Sequence, residues 1–224
     1  MNLTKNLFIV IDGTDGSGKA TQTQLLLERL EQEGHKVKTI SFPQYKQKSA
    51  GLVEEYLSGK YGTSEEVGPK IGSIFYAIDR FDASFQIRAW LEEGYTVITD
   101  RYATSNMGHQ GGKISEQEHR QKFFEWNHEL EHDLFGIPVP DLCVVLHVPT
   151  TIAMQLAKDR GGWKADIKTD IHETDEDHMS DAEKAYLHLA DFYPNTHLVS
   201  CAPDGAMRSR KDIHEEIIQI IESK

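Results

Sequence analysis

Leu7-Phe8-Ile9-Val10-Ile11-Asp12-Gly13-Thr14-Asp15-Gly16-Ser17-Gly18-Lys19 decides how the rest of the chain is read. The first five residues form a short, wholly apolar run, which suits a strand buried on both faces. The run leads straight into Gly13 to Lys19, which matches G-x-x-x-x-G-K, and helix-like sequence begins at about Lys19. A phosphate cradle demands this order of strand, glycine loop and helix. Glycines let successive backbone N–H groups turn inward around phosphate oxygens. The helix adds its positive end, and the lysine reaches the β- and γ-phosphates. Gly13, Thr14, Asp15, Gly16, Ser17, Gly18, Lys19, Ala20 and Thr21 are therefore the expected contacts of a nucleoside triphosphate such as ATP. Position 20 breaks the pattern, because Ala20 lacks the hydroxyl that Ser or Thr normally offers to Mg²⁺. Thr21 follows, but points about 100° further round the helix.

Outward from this loop, strand-like runs recur at Val37–Ser41, Thr96–Thr99, Leu142–Val148 and His197–Cys201. Amphipathic stretches such as Thr21–Glu33, Ile71–Glu93, Glu116–Asp133 and Ser180–Phe192 separate them. The alternation predicts an α/β chain: a three-layer P-loop NTPase fold whose five-stranded parallel sheet is flanked by helices on both faces. No repeat or linker divides it, so a single domain over residues 1–224 is expected. Residues 161–177 are polar, charged and weakly periodic, which predicts a lid over about 160–177.

The net charge is −12 and no basic stripe is visible, which argues against nucleic acid or an acidic membrane surface as partner. Small anionic substrates need only a few placed cations. Leu7–Ile11 is too short for a signal peptide or a membrane span, so a cytoplasmic setting is expected. Cys143 and Cys201 sit in apolar runs without a C-x-x-C pair and read as small core residues in a reducing compartment.

After the third strand-like run comes Asp100-Arg101-Tyr102-Ala103-Thr104-Ser105-Asn106-Met107-Gly108-His109-Gln110-Gly111-Gly112. This resembles the DRY…S…QG signature of thymidylate kinases. Phe42-Pro43 after the second strand, Phe75-Tyr76-Ala77-Ile78-Asp79-Arg80 in the third helix and Ala157-Lys158-Asp159-Arg160 before the polar segment resemble that family's landmarks in the same order.

Read physically, Asp100 ends a buried strand beside the phosphate loop, where a carboxylate can hold Mg²⁺ directly or through water. Arg101 offers a fork suited to an acceptor's phosphate. The resemblance implies ATP-dependent phosphorylation of dTMP to dTDP with Mg²⁺, towards dTTP synthesis, in a protein that is commonly a homodimer. It implies Asp15 at the acceptor sugar, Tyr76 against the base, Arg80 on a base carbonyl and Arg160 on the donor adenine. Phe42, Ser105, Asn106, His109 and Gln110 complete the implied acceptor site. Lys19, Asp100, Arg101 and Arg160 are the implied catalytic set, with Lys164 and Lys168 as further lid cations.

Three positions depart from the family's pattern. Tyr45 stands where many relatives carry a phosphate-binding arginine; Lys46 or Lys48 could supply that charge, and each also reads as a solvated loop lysine. His109 replaces an aromatic near the sugar. Gly16 lies where one subgroup has a catalytic arginine.

Three other readings compete. His128-Glu129-Leu130-Glu131-His132 matches the H-E-x-x-H helix of zinc peptidases. No third ligand stands out downstream, and Glu131 and Asp133 suit a solvated helix end. A GTPase switch would carry an N/T-K-x-D motif, which the sequence lacks. A deoxynucleoside kinase shares the fold, but its uncharged acceptor would not need Arg101.

Overall fold

The computed structural model describes residues 6–159 and 176–224. Strands β1 (Phe8–Gly13), β2 (Val37–Ser41), β3 (Thr96–Asp100), β4 (Leu142–His147) and β5 (Thr196–Ser200) pair in the order β2-β3-β1-β4-β5, every pair parallel. All six residues of β1 are buried. Phe8 and Val10 join one core with Val97, Tyr102, Met107 and Phe124, while Ile9 and Ile11 join the other with Leu26, Leu30, Ile98 and Ile217. Strict alternation of side chains along the strand makes one sequence serve two cores.

The helices are α1 (Lys19–Gln32), α2 (Gly51–Leu57), α3 (Ser64–Glu92), α4 (Ala103–Gly112), α5 (Gln117–His128), α6 (Thr150–Asp159), α7 (Glu176–Phe192) and α8 (Arg210–Glu222). α1 and α8 cover the Ile9 face, and α3, α4, α5 and most of α7 cover the Phe8 face. The expected parallel sheet between two helical layers is present. Its strands end within two residues of the expected limits.

Several boundaries differ for local reasons. α3 begins seven residues before the apolar periodicity at Ile71, because Thr63 caps it: Thr63 Oγ1 accepts from the Glu66 amide at 3.2 Å and Glu66 Oε2 accepts from the Thr63 amide at 2.8 Å. Its direction breaks at Gly68, whose φ of 73° precedes Pro69. The stretch expected as one helix over Glu116–Asp133 is α5 followed by a π-helical turn, Glu129–Leu134. Of the expected lid, residues 160–175 lie outside the described residues, and 176–177 open α7. Among the described residues, no helix is long and apolar enough to cross a membrane.

Candidate active site

With all strands parallel, the loops after β1, β2 and β3 leave the same edge of the sheet. β1 lies centrally, where connections depart in both directions and a crevice opens. Gly13 occupies the crowded start of that crevice. Its φ is 134°, and a Cβ there would stand 2.3 Å from the Leu146 carbonyl oxygen, so only glycine fits. Gly18, in the left-handed region at φ 96°, turns the chain into α1. The buried Lys19 lies back over the loop, its Nζ donating to Gly13 O at 3.1 Å and Thr14 O at 2.9 Å. These bonds satisfy carbonyls on the lysine's side of the turn. Burial, reinforced by Arg101, lowers the Lys19 ammonium pKa to about 8.

Beneath the loop, Asp12 is fully buried and accepts four bonds. Its Oδ1 receives the Gly13 amide at 2.8 Å, Ser105 Oγ at 2.7 Å and the Tyr186 hydroxyl at 2.7 Å, and Oδ2 receives Thr104 Oγ1. Tyr186 reaches it from α7 because its ring crosses Gly108 of α4, where a Cβ would come within 2.3 Å of that ring.

Arg101 follows β3 with a φ of 69°, unusual for a residue with a side chain. Its amide still donates to Ile11 O at 3.0 Å, so the turn ties β3 to β1 and swings the guanidinium over the loop. Nη2 pairs with Asp15 Oδ1, and Nη1 lies 2.9 Å from His109 Nε2. A guanidinium only donates, so His109 Nε2 accepts and the imidazole is neutral with its proton on Nδ1. Burial and the neighbouring Arg101 hold the His109 pKa well below its ordinary value, in agreement. Burial raises the Asp15 carboxyl, but Arg101 and then Lys19, 3.8 Å away, pull it far below the carboxylate range.

A cleft of about 680 Å³ opens beside this cluster. Asp15, Arg101, Ser105 and His109 line its end towards the phosphate loop. Phe42, Tyr76, Arg80, Asn106 and Gln110 line the remainder, so all nine residues expected for the acceptor meet in one cavity. A model of the family described as Thymidylate kinase matches residues 11–217. The chain belongs to the thymidylate kinase family. It is 30% identical to a thymidylate kinase of Mycobacterium tuberculosis over 82% of this chain and 86% of that protein. It is 26% identical to a probable thymidylate kinase of Pyrococcus abyssi over 97% of this chain and 96% of that one. A thymidylate kinase structure from Candida albicans has the same fold, with a TM-score of 0.71, 21% identity and coverage of 98% and 92%.

Phe42 is buried and its peptide to Pro43 is cis. Asp79 of α3 fixes the loop beyond it, accepting from the Gln44 amide at 2.8 Å and Ser49 Oγ at 2.6 Å. Phe75 stands outside the cleft, in tilted ring contact with Tyr56 and Tyr61. Ser105 lines the cleft with its hydroxyl committed to Asp12. Tyr45 lines the cleft and is 53% exposed, whereas Lys46 and Lys48 are exposed and line no part of it. Of the two readings of these lysines, the solvated loop is the one present, and among the described residues Arg80 and Arg101 are the lysines and arginines at the cleft. Arg160, Lys164 and Lys168 lie outside the described residues.

The H-E-x-x-H stretch is corrected. Glu131 is not at a solvated helix end but fully buried, bound to Arg80. The His128 Nδ1 bonds to the Tyr193 hydroxyl and His132 Nδ1 to Ile137 O. Among the described residues no group of three or more His, Cys, Asp and Glu could hold a metal ion. Both histidines belong to a cluster of tilted and edge-on rings with Tyr193.

Sequence reasoning missed four residues of this site. His178 of α7 lines the cleft and stacks on His109 at 5.9 Å. It follows the polar segment, and no local pattern marks it. Leu57 lines the cleft from a short helix too brief to show periodicity. Asp12 and Glu131 act from beneath, through other residues.

Proposed function

We propose that the chain transfers the γ-phosphoryl group of ATP to dTMP, giving dTDP, with Mg²⁺ as cofactor and the two nucleotides meeting at Asp15. One observation carries the reading. Asp15 is at once a residue of the phosphate loop, 3.8 Å from Lys19, and the ion-pair partner of Arg101 in the cleft. Two anion sites that share a carboxylate hold a donor and an acceptor within reach of each other.

The protein's own share of the reaction is positioning and charge. Lys19 faces the transferring phosphoryl oxygens, and Arg101 binds the acceptor phosphate, releasing Asp15 to the acceptor sugar. Tyr76 packs on the base. Negative charge spreads over the γ-phosphoryl oxygens in the transition state, so preset cations lower its energy more than that of the substrates. Residues 160–177 serve as the lid that excludes water, with Arg160, Lys164 and Lys168 as its cations. A screen of ATP consumption against each nucleoside monophosphate and thymidine tests the reading. dTMP should be the preferred acceptor, and preference for thymidine would make the protein a nucleoside kinase.

Asp100 fits Mg²⁺. Its Oδ1 is buried with no hydrogen-bond partner, an acceptor in need of a cation or of a cation's water. Burial raises its pKa against the pull of Lys19 and Arg101, and a divalent ion would favour the charged form. Asp100 would hold Mg²⁺ there, and the ion would supply charge neutralisation to the triphosphate. Ala20 offers no ligand, so phosphate oxygens and waters would complete the shell. Asp100→Asn should lower turnover and raise the Mg²⁺ concentration for half-maximal rate, by about tenfold or more. An unchanged Mg²⁺ titration would move the ion elsewhere.

Phe85 is 62% exposed and Leu134 74%, an apolar surface for the homodimer that the resemblance implies. Phe85→Asp should then sediment as a monomer where the unsubstituted protein sediments as a dimer. A monomeric unsubstituted protein would remove the proposal. The reducing cytoplasm is consistent with both cysteines being buried free thiols.

A further inference from the structure

The buried carboxylate that replaces the expected solvated Glu131 sits against two residues of the cleft at once. Its Oε2 accepts from Arg80 Nε at 2.5 Å and its Oε1 from Arg80 Nη2 at 2.8 Å. Oε1 also accepts from Asn106 Nδ2 at 2.9 Å and from Asn127 Nδ2 at 3.1 Å. Four donors converge on two oxygens, so no proton is left on the group and it can only accept.

That has a consequence for both cleft residues. The Nε–Nη2 edge of Arg80 is consumed, which leaves the Nη1 side of the guanidinium as its free donors at the cleft it lines. Asn106 spends both amide hydrogens, one on Glu131 and one on Ser73 O at 3.1 Å, so its Oδ1 is the atom left for the cleft. An amide's two ends look alike in shape. Here the orientation follows from chemistry, because a carbonyl oxygen turned towards a carboxylate would meet a second acceptor.

We propose that Glu131 is a positioning residue that sets the polarity of base recognition, fixing a donor on Arg80 beside an acceptor on Asn106. A donor next to an acceptor complements a carbonyl next to a ring N–H, the edge of thymine and uracil. It opposes the cytosine edge, where an unprotonated ring nitrogen adjoins an amino group. The inference rests on the cleft holding the acceptor's base, and adds what makes the cleft choose. The π-helical turn is the device: its wider winding brings Glu131 and His132 inward together, where α5 continued as an α-helix would change which residue faces Arg80. Rejection of the wrong base then costs a buried group its partner, a stronger discrimination than shape alone.

The test compares dTMP with dCMP on Glu131→Gln. Glutamine puts an N–H₂ where one carboxylate oxygen stood, so Arg80 or Asn106 meets a donor in place of its acceptor and loses its fixed position at the cleft. The preference for dTMP over dCMP in kcat/KM should fall by about tenfold or more, through the acceptor KM, while the ATP KM stays put. Glu131→Asp keeps an acceptor-only group on a shorter arm and should keep the preference with a raised dTMP KM. It also serves if the glutamine variant does not fold. N3-methyl-dTMP on the unsubstituted protein provides a measurement without any variant, and should bind at least about tenfold more weakly than dTMP.

A folded Glu131→Gln with undiminished preference overturns the proposal, as does equal loss for dTMP and dCMP, loss of preference in Glu131→Asp, or N3-methyl-dTMP binding as well as dTMP. If the unsubstituted protein does not use dTMP at all, it is the reading of the cleft that fails.

Discussion

Lys19→Ala is expected to lower turnover by about a hundred- to a thousand-fold with the fold intact. The ammonium sits within 3.1 Å of two loop carbonyls and, in the proposed reaction, is the cation that the loop itself supplies to the phosphates. Its attraction grows as charge spreads over the transferring group, so its removal falls on kcat more than on ATP binding. The loop should survive, because Gly13, Gly16 and Gly18 hold their turns through positive φ, not through the lysine. The lowered pKa gives the same prediction a second arm. Ligand-free Lys19 loses its proton as pH rises through about 8. Triphosphate binding favours the charged form, so ATP affinity should weaken above that pH and binding there should take up a proton. Calorimetry in buffers of differing ionisation enthalpy measures this. Near-normal turnover in folded Lys19→Ala, or proton-neutral ATP binding above pH 8, would count against the assignment.

Arg101→Ala should weaken dTMP binding by about a hundredfold, the loss of a charge-assisted fork of roughly 3 kcal/mol, and leave ATP binding within about threefold. Alanine tolerates the left-handed φ of 69° no worse than arginine does, so a folded variant is expected. Asp15 and His109 both lose their partner, and Asp15, freed of the guanidinium, should titrate higher than in the unsubstituted protein. Arg101→Lys should rescue only part of the affinity, because an ammonium cannot grip a phosphate with two parallel N–H bonds as a planar fork does. Separate titrations of the two nucleotides decide the matter. Equal loss for both would give Arg101 a structural role.

The layers of the fold were legible because they depend on local pattern. Leu7–Ile11 is apolar throughout, and only a strand covered on both sides has a use for that. The phosphate loop was legible for a similar reason, since Gly13 and Gly18 answer backbone demands that no neighbour can alter. That nine scattered residues line one cleft was legible through resemblance, residue by residue. What escaped were contacts made across the fold. Glu131 carries the same charge as exposed Glu125 or Glu129, and nothing nearby in sequence announces that Arg80, fifty-one positions away, will meet it. Lys46 and Lys48 show the opposite case. They lie close to Tyr45 in sequence, yet the loop that Asp79 pins turns them to solvent.

The notch at Gly108 bears on how substitutions would be tolerated along the chain. Position 108 touches no nucleotide in the arrangement described, yet any side chain there displaces the Tyr186 ring. Without Tyr186, Asp12 loses one of its four donors directly beneath the phosphate loop. A survey of variants would therefore find 108 nearly as intolerant as Gly13 and invite its inclusion in the active site. The two intolerances differ in kind. At Gly13 the barrier is the backbone's own carbonyl and has no remedy, whereas at 108 it is a removable ring. Gly108→Ala should be partly suppressed by Tyr186→Ser, which clears the space and keeps a hydroxyl on α7. Among natural variants such compensation would appear as linked changes at 108 and 186, a covariation between two helices that reports on the support of the loop and not on the choice of substrate.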